Sequence, residues 1–176
     1  MKKIFKKYWY LFILTIILII IIIGNIVTSF NKDERIKTYL LENNFAEVKS
    51  GELQNLQIDR NYDTKENATS IQTAYNYENN TFTRLIKNKI DNHENTFILQ
   101  YDINQNKYTG SYNIYNKYQD NFIEGTLNLN TSEFTCNTSG KKGLNKECEE
   151  LKKEMSDFIF EIKDILINSK AESYLN

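Results

Sequence analysis

Proline is absent from this 176-residue chain, histidine and tryptophan occur once each, cysteine twice and glycine six times. The scarcity of histidine bears on catalysis. A zinc site would have to be completed by carboxylates or by the cysteines, and a serine nucleophile would have only His93 as its base. His93 stands in Ile90-Asp91-Asn92-His93-Glu94-Asn95, a segment that reads as a solvated turn. No glycine-rich run resembles a phosphate-cradling loop. The two cysteines are separated by eleven residues, not two, which argues against a thiol redox motif. Acidic pairs such as Glu149-Glu150 and Asp33-Glu34 read as helix surface and not as acid–base machinery. No catalytic residue, cofactor site or metal site is expected, and the chain is read as a non-enzyme.

An excess of basic charge is also missing. The formal net charge is −1, and the four lysines at the N-terminus mask a stronger asymmetry. Without residues 1–31, which hold those lysines and no acid, 18 basic residues face 23 acidic ones, a net of −5. A mildly acidic domain excludes nucleic acid as the expected partner, because phosphate binding needs a basic face.

What is present in quantity is aromatic and apolar. Twelve Tyr and ten Phe exclude a disordered chain. The 24 Asn match the composition of an AT-rich genome. In so Asn-rich a sequence, the four Asn-x-Ser/Thr triplets at Asn67, Asn79, Asn130 and Asn137 are explained by chance.

Lys2, Lys3, Lys6 and Lys7 precede an uncharged run from Tyr8 to Asn31 whose centre is almost wholly Ile and Leu. Crossing a bilayer core takes about 20 apolar residues, and the stretch from Trp9 to Val27 supplies them. Tyr8, Trp9 and Tyr10 stand where amphipathic rings favour the headgroup level. Lysines before the run and the mixed-sign Lys32-Asp33-Glu34-Arg35 after it place the N-terminus in the cytoplasm. The expectation is a single-pass membrane protein that meets the bilayer through residues 8–27, with residues 1–30 as tail and anchor and 31–176 as one extracytoplasmic domain. The alternative is a secreted protein cleaved near Ser29, although the apolar run exceeds the usual 7–15 residues of a signal peptide. With no cysteine near the end of the run, a lipoprotein is excluded, and with no acid before Asp33, so is a pilin-type anchor.

Beyond the anchor, Asp33 to about Val48 reads as a short helix, with Ile36, Tyr39, Leu40 and Asn43 at helical spacing and Ser50-Gly51 as its stop. The period then changes to two. Phe97, Leu99, Tyr101 and Ile103 alternate with polar neighbours, as do Tyr108, Gly110, Tyr112 and Ile114, and Ile123, Gly125, Leu127 and Leu129. Weaker alternation covers Leu53–Ile58, Ile71–Tyr77 and Thr81–Lys87. Short polar gaps between these runs suit hairpins. Gly110 and Gly125 are read as bulges or bends. A final helix spans about Asn145 to Ser169. Leu144, Cys148, Leu151, Met155, Phe158, Ile162 and Ile165 form its stripe, and Ile159 and Leu166 widen it. A widened stripe suits docking on a sheet better than a coiled-coil seam. The fold class is α+β: transmembrane helix, short helix, a five- to six-stranded antiparallel meander, and a long C-terminal helix packed on the sheet.

Cys136 and Cys148 both fall in the extracytoplasmic part, where thiols oxidise, and are expected to form a disulfide worth about 3 kcal/mol. Tyr108 and Tyr112 belong to the inner face, whereas Tyr115 and Tyr118, near a turn, form the candidate binding surface. The expected function is a tethered module that binds a protein partner in the membrane or envelope. The alternative is a helix-grip-like carrier or sensor of a small apolar ligand or lipid, which would need a pocket of about 300 Å³ or more between helix and sheet.

Overall fold

The computed structural model describes residues 2–50, 53–63, 67–90, 93–116, 119–138 and 143–174, with side-chain surroundings for most of them. Helix α1 (Lys2–Glu42) is followed by eight strands: β1 (Ala46–Ser50), β2 (Leu53–Asp63), β3 (Asn67–Asn76), β4 (Thr81–Ile90), β5 (His93–Asp102), β6 (Lys107–Asn116), β7 (Gln119–Asn128) and β8 (Glu133–Asn137). Helix α2 (Asn145–Asn168) and a short 3-10 turn (Glu172–Tyr174) complete the chain. All strands pair antiparallel in sequence order, so the sheet is a pure meander.

The sheet therefore has eight strands and not five or six. The two added strands are five-residue edges. In β8 only Phe134 and Cys136 turn toward the core. β1 begins inside the segment 33–48 that helical spacing had claimed and runs past it to Ser50, and the boundary is set by Asn43-Asn44. Asn44 takes a left-handed φ of 66°, and the Phe45 N–H reaches back to the Leu40 carbonyl at 3.0 Å. Phe45 and Leu40 are both buried in the core cluster. This is a Schellman stop with its apolar contact, built on asparagine instead of glycine. α2 ends the same way: Lys170 has φ 56°, Ala171 bonds back to Leu166 at 2.7 Å, and both are buried.

Strand register lays the inward side chains in transverse rows. The first runs Leu56, Tyr75, Phe82, Tyr101, Tyr108, Leu127, Phe134. The second runs Ile58, Thr73, Arg84, Leu99, Gly110, Gly125, Cys136, and the third contains Ile71, Ile86, Phe97, Tyr112 and Ile123. The outer rows are bulky, and the middle one becomes small from Gly110 to Cys136, so a trough opens over β6–β8. α2 lies in that trough. A Cβ on Gly110 would come within 2.9 Å of Met155 Sδ and 3.1 Å of Leu151, and one on Gly125 within 2.8 Å of the Phe134 ring and 2.9 Å of Leu151. Register is unbroken at both glycines, so they admit the helix and do not mark bulges.

A repeat of 26 residues underlies the first row. Leu56, Phe82 and Tyr108 are 26 apart, as are Tyr75, Tyr101 and Leu127, and the hairpin turns begin at Asn76, Asp102 and Asn128. In each turn that first carboxamide or carboxylate accepts backbone N–H groups: Glu78 and Asn79, then Gln105, then Asn130 and Thr131. The last turn residue has positive φ in all three, at Asn80, Asn106 and Ser132. Tyr75 donates to Asn80 Oδ1 at 2.6 Å and Tyr101 to Asn106 Oδ1 at 3.1 Å. The same hydroxyl–amide latch thus closes two successive units.

The transmembrane helix expected over 9–27 is not found: among the described residues no helix is long and apolar enough to cross a membrane. Of the expected span, side-chain surroundings are described for Trp9 and Leu11–Gly24. Tyr10 and the stretch 25–31 lie outside that description.

The trough makes a test. Gly125→Ala meets a ring and a leucine that leave little room, and should cost 1–3 kcal/mol, the order typical of overpacking. Gly110→Ala meets the flexible end of Met155 and should cost less. Urea unfolding midpoints rank the two, and the reverse order would show that α2 does not occupy the trough as described.

Candidate functional site

The trough also positions the polar groups. Arg84, on the middle row, is 8% exposed. Its Nε donates to Thr73 Oγ1 at 3.1 Å and Nη2 to Glu161 Oε2 at 2.5 Å, while its guanidinium lies 4.4 Å from the Phe158 ring centre. A buried cation is tolerated because each face has a partner. Tyr108 donates to the Met155 carbonyl at 2.5 Å and Tyr112 to Glu150 Oε2 at 3.0 Å. Burial pushes the Tyr75, Tyr108 and Tyr112 phenols well up, so none is poised for proton transfer near neutrality. These bonds fix helix to sheet.

Cys136 and Cys148 are joined, with their Cα atoms 6.1 Å apart. The bridge ties edge strand β8 to the first turn of α2, at one end of the trough. Tyr115 and Tyr118, the candidate binding surface, are not brought together by anything visible: Tyr118 lies outside the described residues, and of Tyr115 only the backbone, paired with Asp120 and Glu94, is described. His93 begins β5 opposite Ile90, and its side chain is likewise outside the description. Among the described residues no group of three His, Cys, Asp or Glu side chains is arranged to hold a metal.

Two surface features were not read from the sequence. On the outer face of the sheet a hollow of about 330 Å³ is lined by Ile98, Gln100, Thr109, Ser111, Phe122 and Glu124. Ile98 and Phe122 are about half exposed there. Alternation alone assigns both to the solvent side and gives no sign that they share a depression, which lies over Gly110 and Gly125. Between α1 and the end of α2 lies a larger groove of about 660 Å³, lined by Glu34, Arg35, Thr38, Tyr39, Glu42 and Asn168–Lys170. It exists because α1 is fastened to α2. Ile36 and Leu40 are fully buried in the core. Arg35 Nη1 donates to the Lys170 carbonyl at 3.2 Å, Tyr174 donates to Asp33, and Lys32 lies 5.0 Å from the Tyr174 ring centre. Lys37 pairs with Glu47 at 3.0 Å, and that hydrogen bond raises its pKa.

The space between α2 and the sheet is filled. Tyr75, Phe82, Leu99, Tyr101, Tyr108, Leu151, Met155 and Phe158 are at most 1% exposed and belong to one core cluster. Compared with known protein families, characterised proteins and solved structures, the chain matches none.

Reduction of the disulfide should lower stability by about 3 kcal/mol on a loop-entropy basis, read as a shift in the urea midpoint with and without reductant. An unchanged midpoint would show that β8 is held by its backbone ladder alone. Glu154 supplies a pH test. Burial, and secondarily Asp157, raise its pKa above the ordinary 4.5. Its proton is then held more tightly in the folded than in the unfolded chain. The associated stabilisation is complete below the unfolded pKa and is lost as pH rises through the folded one. Glu154 is half-buried, so solvent screens much of its charge; Glu154→Gln should therefore raise the melting temperature at pH 7 by only a degree or two, and leave it unchanged below about pH 4. A gain that persists in acid would refute the assignment.

Proposed function

We propose that this chain is a single-pass membrane protein whose domain, residues 31–176, stands outside the cytoplasm as a non-enzymatic module binding a protein partner. The observation that carries the reading is the divided character of α1. From Leu11 to Ile23 its large apolar side chains are 38–62% exposed, whereas Ile36 and Leu40 of the same helix are wholly buried in the domain. The second apolar segment is satisfied within the chain. The first has no protein cover, and a helix apolar on all sides calls for lipid or another protein around it. The four lysines before it favour a cytoplasmic N-terminus. The disulfide between Cys136 and Cys148 is consistent with an oxidising compartment.

Binding of a protein is supported by the outward hollow, where Ile98 and Phe122 lie exposed beside hydroxyl and amide groups, a mixture usual at recognition surfaces. The carrier alternative rests on a hollow between helix and sheet. With that space occupied by tyrosines, phenylalanines and Met155, no observation favours it.

Two measurements test the reading. Full-length protein should stay with membranes through alkaline carbonate washing with its N-terminal residues intact, and protease added to spheroplasts should reach sites beyond 32. Release by carbonate, or a mature N-terminus near Ser29, would defeat the anchor. Ile98→Asp with Phe122→Asp should then abolish co-purification of the partner from mild detergent while leaving the melting temperature within a few degrees. Undiminished recovery would rule out the hollow as the binding surface.

A further inference from the structure

Of the described large apolar side chains, Phe160 is the most exposed, at 76%, and it stands on the outer side of α2. Lys153 lies seven residues before it and Ile167 seven after, so the three share one line along the helix with ~10.5 Å between neighbours. Lys153 is exposed and Ile167 half exposed. Asp157 and Asp164 lie off this line, on the flank shared with Glu154 and Glu161.

The opposite surface of the domain carries a matching line. One cross-strand row on the sheet's outer face runs Leu85, Ile98, Ser111, Glu124 from β4 to β7. Neighbouring strands are ~4.8 Å apart, so two strands match two turns of helix in length. In the hollow Ser111 is small, Ile98 and Phe122 stand to either side of it, and Glu124 is the single charged group of the lining. The two lines agree in sense as well as in spacing. α2 crosses the sheet from Cys136 of β8, past Gly125 and Gly110, to Arg84 of β4. Lys153, Phe160 and Ile167 therefore follow one another in the direction in which Glu124, Ser111 and Ile98 do. The ion pairs among the described residues, Lys37–Glu47, Arg84–Glu161 and Lys146–Glu150, use neither Lys153 nor Glu124.

We infer that the hollow receives Phe160 of a second copy of this chain, with Lys153 on Glu124 and Ile167 on Ile98 and Leu85. The second copy is related by translation. Met155 lies against Gly110, directly behind the hollow, and Phe160 is five residues further on, so a slide of ~8 Å along α2 brings it into place. Translation keeps every copy the same way up, as insertion in one membrane requires. It also leaves a free ridge on one copy and a free hollow on the other, so association continues into a row. The contact is small, and confinement to one membrane supplies the effective concentration it needs.

This inference rests on the reading of the hollow as a protein-binding surface and names its occupant. Full-length protein carrying Phe160→benzoylphenylalanine, a photoreactive substitution, is reconstituted into phosphatidylcholine vesicles and irradiated. The expected product is a ladder of dimer, trimer and larger species, with the linked residue mapped by mass spectrometry to 85–126 of another copy. Glu124→Lys should cut the yield about fivefold, and Lys153→Glu in the same chain should restore it, since each copy carries both groups. All three positions are exposed, so the variants should melt as the parent does. A dimer without further rungs, links confined to lipid or to residues outside the hollow, or a yield unmoved by Glu124→Lys overturns the inference. If no ladder forms while Ile98→Asp with Phe122→Asp still abolishes recovery of a partner of different mass, the hollow remains a protein-binding surface and only its occupation by a second copy falls. If those two substitutions change neither ladder nor recovery, both readings fall.

Discussion

Everything in this domain is arranged around one helix lying in a trough of small residues. At β6 and β7 the middle row could not be bulky, because Leu151 and Met155 come within 2.9–3.1 Å of where Cβ atoms on Gly110 and Gly125 would stand. In the flanking rows Tyr108 bonds to the Met155 carbonyl and lies beside Phe158, and Tyr112 bonds to Glu150, so large side chains hold the helix from both sides. Once the helix is seated, its ends are determined too. Cys148 falls over Cys136 at the β8 edge, and Glu161 falls over Arg84. The buried ion pair and the disulfide are consequences of that seating, since neither has enough reach to impose it. Among the described residues the same seating buries the side chains under the helix in one cluster.

Much of this was legible in the residues. The helical stripe from Leu144 to Leu166 is wide and uninterrupted, and the structure buries each of its large apolar members. The strands from β3 to β7 announce themselves by alternation and by polar gaps. A disulfide was legible because the only two cysteines both fall beyond the expected anchor, where thiols oxidise. What escaped did so for physical reasons. β1 is five residues long and follows a helix whose stop is asparagine, a weaker signal than the later Ser50-Gly51. The glycines read as bulges because alternation says which face a residue occupies and nothing about how near the opposing layer comes. The groove and the outer hollow could not be read at all, since each is assembled from segments distant in sequence.

The 26-residue period was present in the sequence yet hidden by substitution. Its turns spell Asn-Tyr-Glu-Asn-Asn, Asp-Ile-Asn-Gln-Asn and Asn-Leu-Asn-Thr-Ser. What persists is function within the turn: an acceptor first, an apolar residue second, and last a residue that tolerates positive φ. In the third unit Leu127 and Ser132 replace the tyrosine and asparagine of the latch, so the hydroxyl–amide bond is lost together at both ends. These three hairpins thereby receive the same local stop, and the strands from β3 to β7 are all ten residues long.

The continuity of α1 has a geometrical meaning beyond attachment. One unbroken helix joins residues 11–23 to residues 32–40, and the latter are seated in the core. No swivel intervenes. Adding a single residue within 25–31 would turn the domain by about 100° around the helix axis and lift it by ~1.5 Å. Whatever surrounds the apolar half of the rod thus sets the compass bearing of the hollow on the sheet's far side, and two copies held side by side would present those hollows at a mutual angle dictated by the count of residues alone.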